Sequence, residues 1–194
     1  MDVKGVSRRE IEAKLATVGD YVKMDYLQSC LKKQLDFDTK KYVLVTLSKI
    51  YESRRMFLEA GRLLRISADI NTTYDGKINE FLKSAELFIY GGNFVEADVS
   101  LSKALASGND RQKVATKIKI KETYKTYAQD LLKRDKRKLA METYEKMLTL
   151  DLDPIERSST QSSLLELYNK LGKVKEFFAL QKTMGGAGTS TARY

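Results

Sequence analysis

The chain is 194 residues long and 42% hydrophobic, with 35 Lys and Arg against 26 Asp and Glu and a formal net charge of +9. Histidine is absent and Cys30 is the sole cysteine, which excludes Ser-His and Cys-His catalysis, imidazole zinc sites, an internal disulfide and multi-cysteine clusters held by one chain. No apolar run reaches the length of a membrane span, and "MDVKGVSRREIEAK" lacks the apolar stretch of a signal peptide, so the expectation is a non-catalytic, cytoplasmic protein without a cofactor.

A single proline in the whole chain leaves helices uninterrupted, and Lys, Leu, Ala, Glu, Arg and Met favour them. Taken in order, Ser7-Arg8-Arg9-Glu10 is a capping-box pattern ahead of Ile11, Leu15 and Val18. Gly19-Asp20 breaks the chain, and Met24, Leu27 and Leu31 then share one helical face within 21–34. "DFDT" at 36–39 makes a turn, with Thr39 or Asp38 expected as the cap. Residues 40–53 carry Val43, Leu44, Leu47, Ile50 and Tyr51 on one stripe, and Arg54-Arg55 separates them from a helix over 56–70. The loop "NTTYDG" precedes a helix over 77–90, and two glycines precede another over 94–106. After "SGND" come helices over 111–133, 137–150, 155–171 and 174–183. "KIKIK" at 117–121 alternates like a strand, but Tyr124, Tyr127 and Leu131 continue a helical stripe, so the segment is assigned to a helix. The total is ten helices in five antiparallel pairs.

Aligned on their turns, the pairs repeat. The last large apolar residues of the first helices are Leu15, Tyr51, Phe88, Leu131 and Tyr168, separated by 36, 37, 43 and 37 residues. Four residues later stand Gly19, Arg55, Gly92, Asp135 and Gly172, followed by Tyr21, Phe57, Phe94, Arg137 and Val174. A third column holds Met24, Ala60, Ala97, Ala140 and Phe177, and a fourth Gln28, Leu64, Leu101, Tyr144 and Gln181.

These columns resemble the tetratricopeptide repeat, a helix–turn–helix unit marked by a large residue, Gly-x-Tyr/Phe at the turn, a small Ala and then an aromatic or Leu. "FIYGGNFVEADVSLSKAL" matches best, and the first pair least. The spacings exceed the 34-residue period of the family, as in the longer helical hairpins of SNAP-like adaptor proteins. The resemblance implies an all-α, α-α superhelix (a TPR-like solenoid) of about five antiparallel pairs over residues 7–183, between a flexible N-terminus at 1–6 and a flexible Gly/Ser/Thr-rich tail at 184–194. It further implies a protein-interaction scaffold or adaptor that binds a peptide or helix in a concave groove. By that resemblance the groove contains Tyr42, Val45, Lys49, Asn79, Leu82, Glu86, Lys125 and Gln129.

"GGN" at 91–93 has the look of a phosphate loop, but no Lys-Ser/Thr follows and a helix precedes it. A glycine closing a helix explains it better. Asp36/Asp38 and Asp151/Asp153 are carboxylate pairs in loops, read as helix caps. Cys30, between Leu27 and Leu31, is read as a small buried hydrophobe. Residues 111–138 hold eleven Lys or Arg against three acids. Lys113, Lys117, Lys121 and Lys125 fall four apart on one helix face, and Arg134, Lys136, Arg137 and Lys138 follow. This basic face is either a solvated helix surface or a site for nucleic acid, anionic lipid or an acidic protein segment. Nucleic-acid association through it is the alternative function.

Overall fold

The computed structural model describes residues 6–186, so residues 1–5 and 187–194, where most of the two expected termini fall, lie outside the described residues. Among the described residues all regular structure is helical: α1 (Arg8–Ala16), α2 (Asp20–Leu31), α3 (Phe37–Ser53), α4 (Phe57–Ile70), α5 (Tyr74–Tyr90), α6 (Phe94–Ser107), α7 (Asp110–Lys133), α8 (Arg137–Leu148), α9 (Pro154–Lys170) and α10 (Val174–Gly186). They form two compact units divided between Lys117 and Ile118, within α7. "KIKIK" is helical, as its downstream stripe required.

α1, α3, α5, α6 and α9 begin where short polar side chains satisfy the free N–H groups of a first turn, whereas α2, α4 and α8 have no side-chain cap. Ser7 and Glu10 form the expected capping box of α1, and Asp153 and Glu156 form another on α9. Pro154 occupies the first turn of α9, where a missing N–H costs nothing. Asn93 and Thr73 cap α6 and α5. At α3 the cap is Asp36, which accepts the Thr39 backbone N–H at 2.9 Å. The expectation of Asp38 or Thr39 is corrected here, because Phe37 already lies in the helix and the capping oxygen must come from the residue before it.

The turn column has one backbone geometry at four of its five positions. Arg55, Gly92, Asp135 and Gly172 lie at φ of 60°, 72°, 55° and 67°. Around them the N–H groups of Met56, Asn93, Lys136 and Lys173 donate to the carbonyls of Tyr51, Phe88, Leu131 and Tyr168 at 2.8–2.9 Å. The N–H groups of Arg55, Gly92, Asp135 and Gly172 donate to Glu52, Ile89, Leu132 and Asn169 at 2.9–3.2 Å. These are the two bonds of a Schellman motif, which closes a helix through a left-handed residue. The first pair departs: Gly19 is an extended N-cap at φ −78°.

Unit 1 buries Ile11, Leu27, Cys30, Val43, Leu47, Tyr51 and Ala60 in one cluster, with the Cys30 thiol among them as expected. Ala60, Ala97 and Ala140 are all buried, as a small-residue column at helix crossings requires. Gly61 lets α4 approach α5, since a Cβ there would stand 3.2 Å from the Phe88 ring. Beside it Ser84 Oγ donates to the Gly61 carbonyl at 2.8 Å and shares a 3.1 Å hydrogen bond with Ser100. α4 runs antiparallel to α5, because a Cβ at Gly91 would meet Leu58 while Asn71 bonds Glu80. Alternate helices are joined by ion pairs: Lys41–Glu80 and Lys83–Glu52 link α3 to α5, and Arg65–Glu96 and Lys103–Asp69 link α4 to α6.

Unit 2 buries Ile120, Tyr124, Tyr127, Leu131, Met141, Tyr144, Leu164 and Tyr168. α8 and α9 are antiparallel: Leu148 is reached by Arg157, Tyr144 shares a hydrogen bond with Ser163, and Tyr168 donates to Glu145 at 2.9 Å.

Candidate interaction cleft

α7 and α9 are the first helices of the last two pairs; α8 joins them in the chain and contributes Tyr144 and Met147 where they meet. Between them lies a cleft of about 390 Å³. Tyr144, Met147, Leu152 and Ile155 supply its apolar lining. Lys121, Glu122, Lys125 and Gln129 line it from α7, and Glu156, Ser159, Thr160 and Ser163 from α9.

One end is closed by charge. Lys121 Nζ sits 2.6 Å from Glu156 Oε2, bridging α7 to the first turn of α9. Glu156 thereby serves both this ion pair and the Asp153 backbone N–H of its capping box. Thr160 donates to the Glu156 carbonyl at 2.7 Å. Burial raises the Tyr144 phenol above its ordinary pKa, against the opposing effect of its Ser163 hydrogen bond, so it stays neutral at physiological pH. The remaining polar lining is uncommitted: Lys125, Gln129 and Ser159 have no hydrogen bond or ion pair among the described residues. Ile155 is 83% exposed beside them. The cleft therefore offers an ammonium, an amide and a hydroxyl around an apolar floor with an exposed aliphatic side chain at its mouth. That is recognition chemistry for a chain carrying both backbone amides and side chains.

Of the eight groove residues expected from sequence, Lys125 and Gln129 line this cleft. The other six lie in unit 1, on α3 and α5. Tyr42 and Val45 pack partly against the core, and the Arg8 guanidinium covers the Tyr42 ring at 4.5 Å. Lys49 and Asn79 are exposed, while Leu82 and Glu86 are half-buried. Sequence reasoning missed the contribution of α8 and α9. Its one available signal was "SSTQSS" at 158–163, six consecutive small or amide side chains inside a helix.

The basic face is less uniform than its spacing suggested. Lys113 pairs with Asp110 at 3.3 Å, Lys121 with Glu156, Arg134 with Asp130 at 3.0 Å and Arg137 with Asp135 at 2.7 Å. Lys117 also has a partner. Lys125, Lys136 and Lys138 are exposed and make no ion pair among the described residues. Tyr124 and Tyr127 are buried, as their place on the apolar stripe required. No helix among the described residues is long and apolar enough to cross a membrane.

No protein-family model and no curated protein matches the sequence. Among solved structures the chain is similar to BtubC (BKLC) from P. vanneervenii, at 15% identity and a TM-score of 0.38, covering 95% of this chain and 82% of that one. It is also similar to a Podosopora anserina protein assigned as a kinesin light chain with nearly identical TPR-like repeats, at 15% identity and a TM-score of 0.40, covering 96% and 95%.

Proposed function

We propose that the protein is a non-catalytic interaction scaffold that holds an extended peptide segment of another protein in the α7–α9 cleft. The observation that carries this reading is the set of uncommitted polar groups, Lys125, Gln129 and Ser159, around the apolar floor. An apolar side chain of the ligand fills the volume beside Ile155 and Met147. Gln129 and Ser159 exchange hydrogen bonds with its backbone, and Lys125 meets a carboxylate or carbonyl. Burying an exposed isoleucine contributes roughly 1.5–3 kcal/mol, so Ile155 is the expected hot spot.

The test is affinity capture from native lysate, with and without nuclease, using the parent, Ile155→Asp/Gln129→Ala, and Lys49→Glu/Leu82→Asp on the α3–α5 face. Loss of a nuclease-resistant partner in the α7–α9 variant alone supports the reading. Undiminished capture by that variant refutes it, and loss only in the Lys49/Leu82 variant moves the groove to α3 and α5. Nucleic-acid association rests on charge; partners that vanish with nuclease and with rising salt would favour it.

A further inference from the structure

Leu132 to Leu139 are exposed without interruption, the longest such run among the described residues, between buried Leu131 and Ala140. This is the α7–α8 turn. It carries five cations and one acid. The two arginines are occupied, Arg134 by Asp130 and Arg137 by Asp135. Lys133, Lys136 and Lys138 have no ion pair among the described residues. The run begins and ends on leucines that are each 39% exposed.

The α9–α10 turn repeats the combination. Val174 and Phe178 are 60% and 61% exposed, next to Lys175, which also lacks an ion pair, and Lys173, which lies 3.4 Å from Glu176. Because α8 is antiparallel to α9, with contacts passing from 148–157 to 144–163, the start of α8 lies toward the end of α9. Both turns therefore occupy one edge of unit 2.

We propose that this edge docks onto an anionic membrane surface. Lysines meet the phosphate and carboxylate headgroups, while Leu132, Leu139, Val174 and Phe178 enter the interfacial layer. Clusters of lysine beside exposed apolar side chains suit such a surface, where both terms act together. A nucleic acid fits less well. The arginines that would grip phosphates bidentately are held by aspartates, and exposed aliphatic side chains gain nothing from a phosphate backbone. The proposal is independent of the α7–α9 cleft.

Flotation of the full chain with phosphatidylcholine vesicles, with and without phosphatidylserine, tests it. Binding is expected only to vesicles containing phosphatidylserine, and to weaken with salt. Neutralising Lys133, Lys136 and Lys138 to Gln should lower partition on the order of a hundredfold, at about fivefold per lysine near the surface. Leu132→Ser/Leu139→Ser, with charge unchanged, should lower it severalfold. The three lysines are exposed, so unchanged helical circular dichroism and melting are expected in the first variant; the leucines are 39% exposed, so the second keeps its helical circular dichroism at the assay temperature but melts lower. No binding to phosphatidylserine vesicles overturns the proposal. So does binding that survives either variant, or binding to duplex RNA with none to vesicles.

Discussion

Arg55 and Asp135 occupy a backbone conformation that the other two matching turns give to glycine, at φ of 60° and 55°. A residue with a Cβ costs about 1–2 kcal/mol in that region, from contact with its own following carbonyl. Glycine removes this cost, but its unfolded chain is freer by about 0.4–1 kcal/mol. Arg55→Gly should therefore stabilise unit 1 by roughly 0.5–1 kcal/mol. Both turn bonds are retained, because Met56 and Arg55 donate through backbone N–H groups. Asp135→Gly should gain less, since it releases Arg137 from a 2.7 Å pair that is exposed and contributes at most about 1 kcal/mol. Gly172→Ala is the reverse experiment. A Cβ there would meet nothing within 4 Å, so only the backbone term remains, and a loss of roughly 0.5–1 kcal/mol is expected. The assay is urea denaturation followed by circular dichroism, with a slope unchanged between variants and parent. Gly172→Ala as stable as the parent, or Arg55→Gly less stable, would refute the argument.

Ala97→Leu should destabilise by roughly 1–3 kcal/mol through overpacking at a site that is 2% exposed; a melt that matches the parent contradicts the assignment of Ala97 to the crossing. Ser84→Ala leaves Ser100 and the Gly61 carbonyl without the buried hydroxyl they share, at about 1–3 kcal/mol, read from the same denaturation curves. Tyr127, Tyr144 and Tyr168 in unit 2 all have pKa values raised above 10.0, by burial first and, for Tyr168, by Glu145 next. A raised pKa means the neutral phenol is favoured in the folded state, so its stabilisation is complete below pH 10 and fades as pH climbs above it. Alkaline titration, compared with Tyr127→Phe, Tyr144→Phe and Tyr168→Phe variants to isolate these three, should show their phenolate absorbance rising together with loss of helix; their ionisation with helix intact would contradict their burial.

Helix positions were legible because each signal is local. Capping oxygens, glycine turns and a 3.6-residue stripe all act within one turn of the residues that carry them, as Ser7–Glu10 and Tyr124–Tyr127 illustrate. The left-handed backbone at Arg55 and Asp135 was legible only by alignment with Gly92 and Gly172, since neither residue announces a positive φ. The cap of α3 was only partly legible, because "DFDT" holds three capping residues, Asp36, Asp38 and Thr39, within four positions, and the helix start decides among them. Little of the cleft was legible: the repeat resemblance implied Lys125 and Gln129, but Tyr144, Ile155 and Ser159 arrive from helices that sequence periodicity cannot orient against α7. The Lys121–Glu156 pair spans 35 residues, and no spacing rule pairs side chains so far apart.

The ion pairs joining α3 to α5 and α4 to α6 connect helices that are next-nearest neighbours in the chain order of unit 1. In mechanical terms they are tethers across each layer, parallel to the apolar contacts that hold adjacent helices. Their side chains are partly exposed, so added salt weakens them while leaving the buried contacts nearly untouched. Unit 1 should thus have an elastic stiffness with a minor component that falls as ionic strength rises. At low salt the layers resist sliding; at high salt they shear more readily without losing a helix. A partner bringing its own charges to Glu52, Lys83 or Glu96 would adjust the same compliance locally.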